Sequence, residues 1–378
     1  MANPLNQLER HGQSFWLDSI SRELMYSGRL RKLIDEDGLK GMTSNPAIFE
    51  KAIAGSTDYD ADIERLAAAN RTALEIYETL AISDIREAAD HLGGVYEATG
   101  GADGFVSLEV SPELADDTAG TIDEARRLWK AVDRPNVMIK VPATEAGVPA
   151  VRQLIGEGLN INVTLMFSRA VYEAVADAYI SGLEDRIAAG GDISGIASVS
   201  SFFISRIDTL VDALLAERAE RAGEPGERAA ILDLTGRTAI ANGKTTYQLY
   251  KTIYASPRWS ALAERSARKQ RLLWASTSTK NPEYRDVLYV EELIGKNTIN
   301  TLPDETLDAF RDHGRLADTL EAGTDEAWSI MAGVEKAGIS MDRVAEQLVE
   351  EGVQKFVDPF VKLIEAIERK RLQPVRLA

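Results

Sequence analysis

Residues Val137–Ala143 read VMIKVPA, Gly147–Glu157 read GVPAVRQLIGE, and Asn160–Ser168 read NINVTLMFS. The first and third runs are apolar through their middles and do not alternate, the pattern of strands in a parallel sheet covered on both faces. The run between them is amphipathic at helical spacing. Strand, helix, strand is the local reading, and it recurs. Further strand-like runs are Ser14–Ser19 (SFWLDS), Gly41–Pro46 (GMTSNP), Phe105–Ser111 (FVSLEVS), Ile193–Phe203 (ISGIASVSSFF), Arg271–Thr279 (RLLWASTST) and Asn297–Pro303 (NTINTLP). Helical stretches such as Ile20–Ile34, Pro112–Ala131 and Arg169–Ala188 separate them. Strand and helix alternating about eight times predicts an α/β fold of the (β/α)8 TIM-barrel class. A doubly wound open sheet would place a Gly-rich turn after the first strand, where this chain has ISRELM.

Two gaps are too long for one helix. Ala47–Gly104 holds a helical run over Ile63–Leu92, punctuated by the flexible pairs Gly93-Gly94 and Gly100-Gly101. Ile204–Gln270 holds helical stretches over Thr209–Arg221 and Arg228–Tyr254, interrupted at Gly223, Pro225 and Gly226. Without an isolating linker, these read as extra helices inserted on the barrel. Residues 1–378 are thus expected to form a single (β/α)8-barrel catalytic domain. A C-terminal helical segment closes the chain, its last helix over Val353–Arg371 and kinked near Pro359.

Composition removes several function classes. The formal net charge is −17, the wrong sign for a nucleic-acid or anionic-membrane surface. With no Cys, disulfides, thiolate metal sites and a cysteine nucleophile are excluded. An apolar content of 44% and a charged content of 27% are those of an ordinary globular protein. The start, MANPLNQLERHGQSFWLD, lacks a basic segment followed by an apolar run, and no stretch approaches the ~18 apolar residues of a membrane span. A cytoplasmic location is the expectation.

Asp18, Glu109 and Lys140 are charged residues near the C-terminal ends of apolar strands, where barrel enzymes assemble their sites. Lys140 stands between Val-Met-Ile and Val-Pro, so its amine has only the barrel interior to point into. Burial disfavours a charged ammonium, and a neutral amine attacks a carbonyl. A structural lysine paired with Glu109 or Asp18 fits the same position. Asp18 and Glu109 suit a general acid and base flanking the amine, although Asp18 could instead cap the following helix.

A neutral set, Thr43, Ser44, Asn45, Asn162, Thr164, Ser200 and Ser201, suits a polyhydroxylated substrate or, equally, water-filled barrel polarity. Arg206 past the sixth strand and STSTK, Ser276–Lys280, past the seventh occupy the part of a barrel that often holds phosphate. Surface salt bridges would explain both cations as well. His11, His91 and His313 lie outside the strands and their C-terminal ends, which disfavours a metal site. The glycines of GGADG, Gly100–Gly104, open no helix, so no dinucleotide fingerprint is present.

GMTSNPAIF, NVMIKVPAT and GLNINVTLMFS together make the chain resemble the transaldolases, class I Schiff-base aldolases, in their larger bacterial form. The resemblance runs from the first strand to the C-terminal EEGVQKFVDPFVKLIEAI. It implies transfer of a dihydroxyacetone unit in the non-oxidative pentose phosphate pathway. The donor would be sedoheptulose 7-phosphate or fructose 6-phosphate, and the acceptor glyceraldehyde 3-phosphate or erythrose 4-phosphate. Carried over onto matching positions, it makes Lys140 the Schiff-base lysine and Asp18 the proton-transferring group. Glu109 would act with Thr164 around a water. Asn45, Asn162 and Ser201 would bind donor hydroxyls, Thr43 and Phe203 would shape the pocket, and Arg206 with the Ser276 loop would hold phosphate. Neither metal nor organic cofactor is implied. The partners implied are small sugar phosphates, with neither nucleic acid nor membrane, and homo-oligomerisation is left open. One position departs: many members carry arginine two residues after the loop serine, where this chain has Ser278 and places its cation at Lys280. An aldolase-like lyase that releases free dihydroxyacetone, and a non-catalytic sugar-phosphate-binding barrel, are the alternatives.

Overall fold

A computed structural model describes residues 3–372. Eight parallel strands close into a barrel in sequence order. They are β1 (Gln13–Leu17), β2 (Gly41–Met42), β3 (Phe105–Glu109), β4 (Val137–Pro142), β5 (Ile161–Met166), β6 (Ser198–Phe203), β7 (Arg271–Ala275) and β8 (Thr298–Leu302). Each strand-like run of the sequence coincides with one of them, β1 beginning one residue before its run, at Gln13. Several are shorter than the runs that announce them: β2 keeps only two residues, and the segments Ile193–Ala197 and Ser276–Thr279 lie outside the sheet. The polar segments that follow β2 and β7 leave the ladder to form loops, and Thr43, Asn45, Ser276 and Ser278 converge there, whereas 193–197 enter β6 at the opposite end of the barrel.

Local signals set the helices. Gly147–Glu157 and Arg169–Ala188 fall where the amphipathic pattern puts them. Ser168 starts the second by accepting a hydrogen bond from the Val171 amide, and Gly158, at φ +96°, ends the first in the left-handed region. Ile20–Ile34 is not one helix but two, Arg22–Tyr26 and Arg29–Asp35, because Gly28 turns left-handed at φ +83°. Pro112–Ala131 likewise divides into a 3-10 turn, Pro112–Leu114, and a helix, Thr118–Val132.

The two long gaps do carry additional helices. Between β2 and β3 the main ones are Asp60–Ala68 and Ala73–His91, the latter opened by a Thr72/Glu75 capping box. Gly93 and Gly94 correct the expected flexible break, since they begin a further helical turn, Gly93–Ala98. Between β6 and β7 run Ser205–Arg221, Pro225–Leu232, Thr238–Ile253 and Pro257–Ala263. The predicted Arg228–Tyr254 stretch therefore breaks at residues 233–237, where Gly236 has φ +71°.

The final helix starts earlier than expected and spans Met341–Arg371, with Pro359 inside it. Its buried positions, Val344, Leu348, Gly352, Phe356, Phe360, Leu363 and Ile367, recur every three or four residues, so one stripe faces the barrel. Among the described residues, no helix is long and apolar enough to cross a membrane.

Candidate active site at the strand ends

Register builds the centre of the site. Glu109 and Lys140 are paired positions on β3 and β4, Lys140 pairs with Asn162 on β5, and Pro142 with Thr164. Parallel neighbours in register present their side chains to the same face, so an acid, an amine and an amide meet inside the barrel. The Lys140 ammonium lies 3.2 Å from Glu109 Oε2 and donates to the Ser44 carbonyl at 3.2 Å. Both charged side chains are about 5% exposed. Beyond this ion pair, Glu109 Oε2 is buried with no hydrogen-bond partner among the described residues. Burial pushes the Glu109 carboxyl up to about 7, against the pull of Lys140.

Asp18 follows β1 and Thr43 follows β2. The Thr43 hydroxyl donates to Asp18 Oδ1 at 2.6 Å and contacts Thr301 Oγ1 at 2.7 Å. Asp18 does not cap the next helix, as one reading of the sequence allowed; Ser21 does, accepting from the Leu24 amide. Burial raises the Asp18 carboxyl above its ordinary range, while Lys140 and the Thr43 hydrogen bond pull it down. A carboxylate so placed readily takes and returns a proton.

These side chains surround a cavity of about 230 Å³ whose wall includes Asp18, Thr43, Asn45, Lys140, Thr164, Ser201, Phe203, Arg206, Ser276 and Lys280. Of the residues singled out from sequence as binding or catalytic, Glu109, Asn162, Ser44 and Ser200 stand behind the wall. Glu109 reaches it through Lys140. Asn162 is fully buried, donates to Ser107 Oγ at 3.0 Å and accepts from Ser201 at 2.7 Å, so it orients Ser201 from beneath. Asn45 has one end engaged, since its Oδ1 accepts from the Ile48 amide and starts the helix Pro46–Phe49. Ser44 and Ser200 leave the polar ring: Ser44 donates to the Ser107 carbonyl, and the buried Ser200 hydroxyl has no partner. The alternation of β6 turns Ser201 and Phe203 inward and Ser200 away.

Arg206 and Lys280 share one side of the cavity. Arg206 is the second residue of its helix, and its guanidinium carbon lies 5.1 Å from the Phe203 ring centre. One of its buried nitrogens has no hydrogen-bond partner. Among the described residues neither cation forms a salt bridge, so the surface-ion-pair reading of both does not hold. Burial lowers the Arg206 pKa although Glu351 and Asp18 support its charge. Lys280 is exposed overall, yet partial withdrawal of its ammonium from water and the facing Arg206 lower its pKa. It donates to Ser278 Oγ at 2.7 Å. Two cations that form no salt bridge beside an open cavity suit an anion by electrostatics. Ser276 adjoins them in a left-handed conformation, φ +53°, with its hydroxyl 3.0 Å from that of Ser205.

Sequence reasoning missed Thr301 and Phe356. Thr301 sits in NTINTLP, legible as a strand, but a single hydroxyl there gave no reason to choose it. Phe356 comes from the C-terminal helix, where it looks like any other buried-stripe residue. A larger apolar cleft of about 350 Å³ lies outside the barrel behind Glu109, lined by Tyr77, Leu108, Phe360 and Ile364. Part of its polar rim is engaged, Arg127 binding Glu78 at 2.6 Å and Glu124 at 3.0 Å, whereas the two cations without salt bridges, Arg206 and Lys280, line the strand-end cavity.

Known proteins resemble this chain along nearly its whole length. A transaldolase from Trichodesmium erythraeum is 49% identical over 99% of this chain and 100% of its own length. Transaldolases from Thiobacillus denitrificans and Thermobifida fusca are 48% and 47% identical, over 97% and 98% of this chain and 99% of each relative. The sequence model of the family described as Transaldolase/Fructose-6-phosphate aldolase matches residues 15–367. With a barrel closed as that family's resemblance implies and relatives aligned end to end, the chain belongs to the transaldolase/fructose-6-phosphate aldolase family.

Proposed function

We propose that the strand-end cavity performs the transaldolase reaction with Lys140 as its Schiff-base residue. The observation that carries this reading is a buried amine in the wall of a polar cavity, between two carboxylates and opposite two unpaired cations. The Lys140 amine adds to the ketone of a ketose phosphate, and loss of water gives an iminium. That iminium draws electrons from the C3–C4 bond, and the bond breaks as Asp18 takes the proton of the C4 hydroxyl. The aldose phosphate leaves, and a three-carbon enamine stays on Lys140 until an acceptor aldehyde arrives. The enamine carbon adds to that aldehyde as Asp18 returns its proton to the new hydroxyl, and water then hydrolyses the resulting iminium, freeing the ketose product and the Lys140 amine.

Glu109, raised toward neutrality by burial, suits proton exchange with a water held also by the unpartnered Thr164 hydroxyl. Arg206, assisted by Lys280 and Ser276, would hold the substrate phosphate, and Asn45 and Ser201 the donor hydroxyls. A cytoplasmic setting supplies such sugar phosphates and fits a chain without cysteine. The family description joins transfer with aldol cleavage, so release of free dihydroxyacetone is the second reading. Borohydride reduction with fructose 6-phosphate, followed by mass spectrometry, is the test. A three-carbon adduct on Lys140, absent in a folded Lys140→Ala variant, is the expected result. An adduct on another lysine would sink the assignment, and dihydroxyacetone released equally with and without acceptor would favour the lyase.

A further inference from the structure

The cavity wall holds two aromatic rings, one at each end. Phe203 lies under Arg206, at the phosphate end. Phe356 lies over the amine: its ring centre is 5.3 Å from Lys140 Nζ, and the residue is 5% exposed. Around Lys140 the remaining wall is polar, formed by Asp18, Thr43, Asn45, Thr164 and Ser201. Phe356 is thus the apolar surface next to the reacting nitrogen, and it reaches there from the C-terminal helix instead of from a strand.

That helix is seated closely. At Gly352, one turn before Phe356, an added Cβ would lie 2.8 Å from Leu165 Cδ2 and 3.5 Å from the Arg206 guanidinium. A glycine at this point lets the helix settle against β5 and brings the ring of Phe356 over the amine.

We infer that Phe356 decides whether the dihydroxyacetone unit is transferred or released. The inference rests on the Schiff-base reading above. Once the aldose phosphate has left, the enamine carbon has two fates. It can add to the acceptor aldehyde, forming a C–C bond while the aldehyde oxygen takes the proton held by Asp18. Alternatively it takes a proton from water, giving the iminium of dihydroxyacetone. A second water adds to that iminium, the C–N bond breaks, and dihydroxyacetone and the free Lys140 amine result. The hydroxide from the first water takes up the proton held by Asp18, and the proton lost by the second passes to solvent, replacing the one consumed when the iminium first formed. Only the release route needs water at the enamine carbon, and an apolar ring over the nitrogen withholds it. The ring face also favours the positive iminium over the neutral amine.

The test measures free dihydroxyacetone formed per transfer event, with fructose 6-phosphate as donor and erythrose 4-phosphate as acceptor. Phe356→Ala should raise this ratio about tenfold, the effect of a modest change in the barrier to protonation. Phe356→Leu, apolar but smaller, should fall between it and the parent chain. Partial misfolding lowers both products together and leaves the ratio unchanged, so a poorly folded variant still reports. An unchanged ratio in both variants, with the parent chain trapped on Lys140 by borohydride, overturns the role of Phe356 alone. A parent chain that transfers dihydroxyacetone without a Lys140 adduct overturns the Schiff-base reading itself.

Discussion

Arg206 and Lys280 divide the work of holding an anion unequally, and the reason lies in how each side chain is supported. Arg206 rises from the first turn of a helix, rests on Phe203 and keeps a buried N–H without a partner. Lys280 projects from a loop, is exposed and donates to Ser278. A planar fork binds phosphate oxygens in pairs, whereas an ammonium offers a point charge on a flexible stem. Loss of a charge-assisted pair costs about 1.5–3 kcal/mol, roughly ten- to a hundredfold in apparent affinity. Arg206→Ala should therefore raise KM strongly for phosphorylated sugars and little for unphosphorylated donors, with Lys280→Ala smaller in the same sense. Kinetics with Lys280→Ala as the more damaging change would reverse the assignment. Glu109 yields a second expectation at this scale. Its carboxyl, raised to about 7, is protonated below that pH and ionised above it. If the ionised form draws the proton from water, kcat falls as pH drops through about 7, and Glu109→Gln flattens that limb. A limb that survives in the variant would assign the titration elsewhere.

At the scale of the elements, β5 and the C-terminal helix depend on one another. Leu165 sits inside β5 with φ +60°, and the β5–β6 register shifts between Val163 and Met166. For a leucine the left-handed region costs roughly 1–2 kcal/mol, so surrounding contacts must hold it there. The irregularity falls next to Thr164, a residue of the cavity wall, and bulges beside active sites commonly re-aim a side chain in this way. Leu165 in turn fills the space that Gly352 leaves open. Gly352→Ala should destabilise the fold by about 1–3 kcal/mol through overpacking at a site with no room to spare. Leu165→Ala should remove the obstruction, so a double-mutant cycle in denaturant unfolding should show strong coupling between the two positions. Additive effects would mean that the helix has room to move away without cost.

Across the whole molecule, two sets of carboxylates pull stability in opposite directions with pH. On the surface, hydrogen bonds from Arg126, Arg134 and Arg152 hold Glu157, Asp90 and Asp185 below their ordinary range. Their contribution is present above that range and is lost as pH falls through the lowered values. In the interior, burial raises Glu109 and Asp208 to about 7 and moves Asp18, Asp84 and Glu124 upward too. The native state holds those protons where the unfolded chain has lost them, so stability falls as pH rises from about 4.5 through 7. A net charge of −17 adds repulsion in the same direction. The melting temperature should peak near roughly pH 5 and decline toward pH 8. Asp208 accepts from the Ala239 amide and from Tyr289, so Asp208→Asn keeps one hydrogen bond and removes one titration. That variant should show a shallower decline, and an equally steep one would locate the pH dependence in other groups.

The fold class was legible because a parallel strand buried on both faces must be apolar through its length, a local property that repeats eight times here. Lys140, Asp18 and Glu109 were legible for the same reason, since a charge inside such a run breaks the pattern it sits in. Arg206 and the Ser276 loop could be found by position after their strands. Partnership was decided only by the closed barrel. Register set Glu109 beside Lys140, and the in-and-out alternation of β6 separated Ser201 from Ser200. Asn162 became a support for Ser201 for the same kind of reason. Leu165 carries no sign of its left-handed backbone, because the strain is held by neighbours distant in the chain. Phe356 is the extreme case. Its sequence context announces a helix with a buried stripe, but which residue of that stripe overlies the amine depends on how a helix some two hundred residues downstream crosses the barrel. Local composition encodes burial, whereas contact between distant segments exists only once the chain has closed on itself.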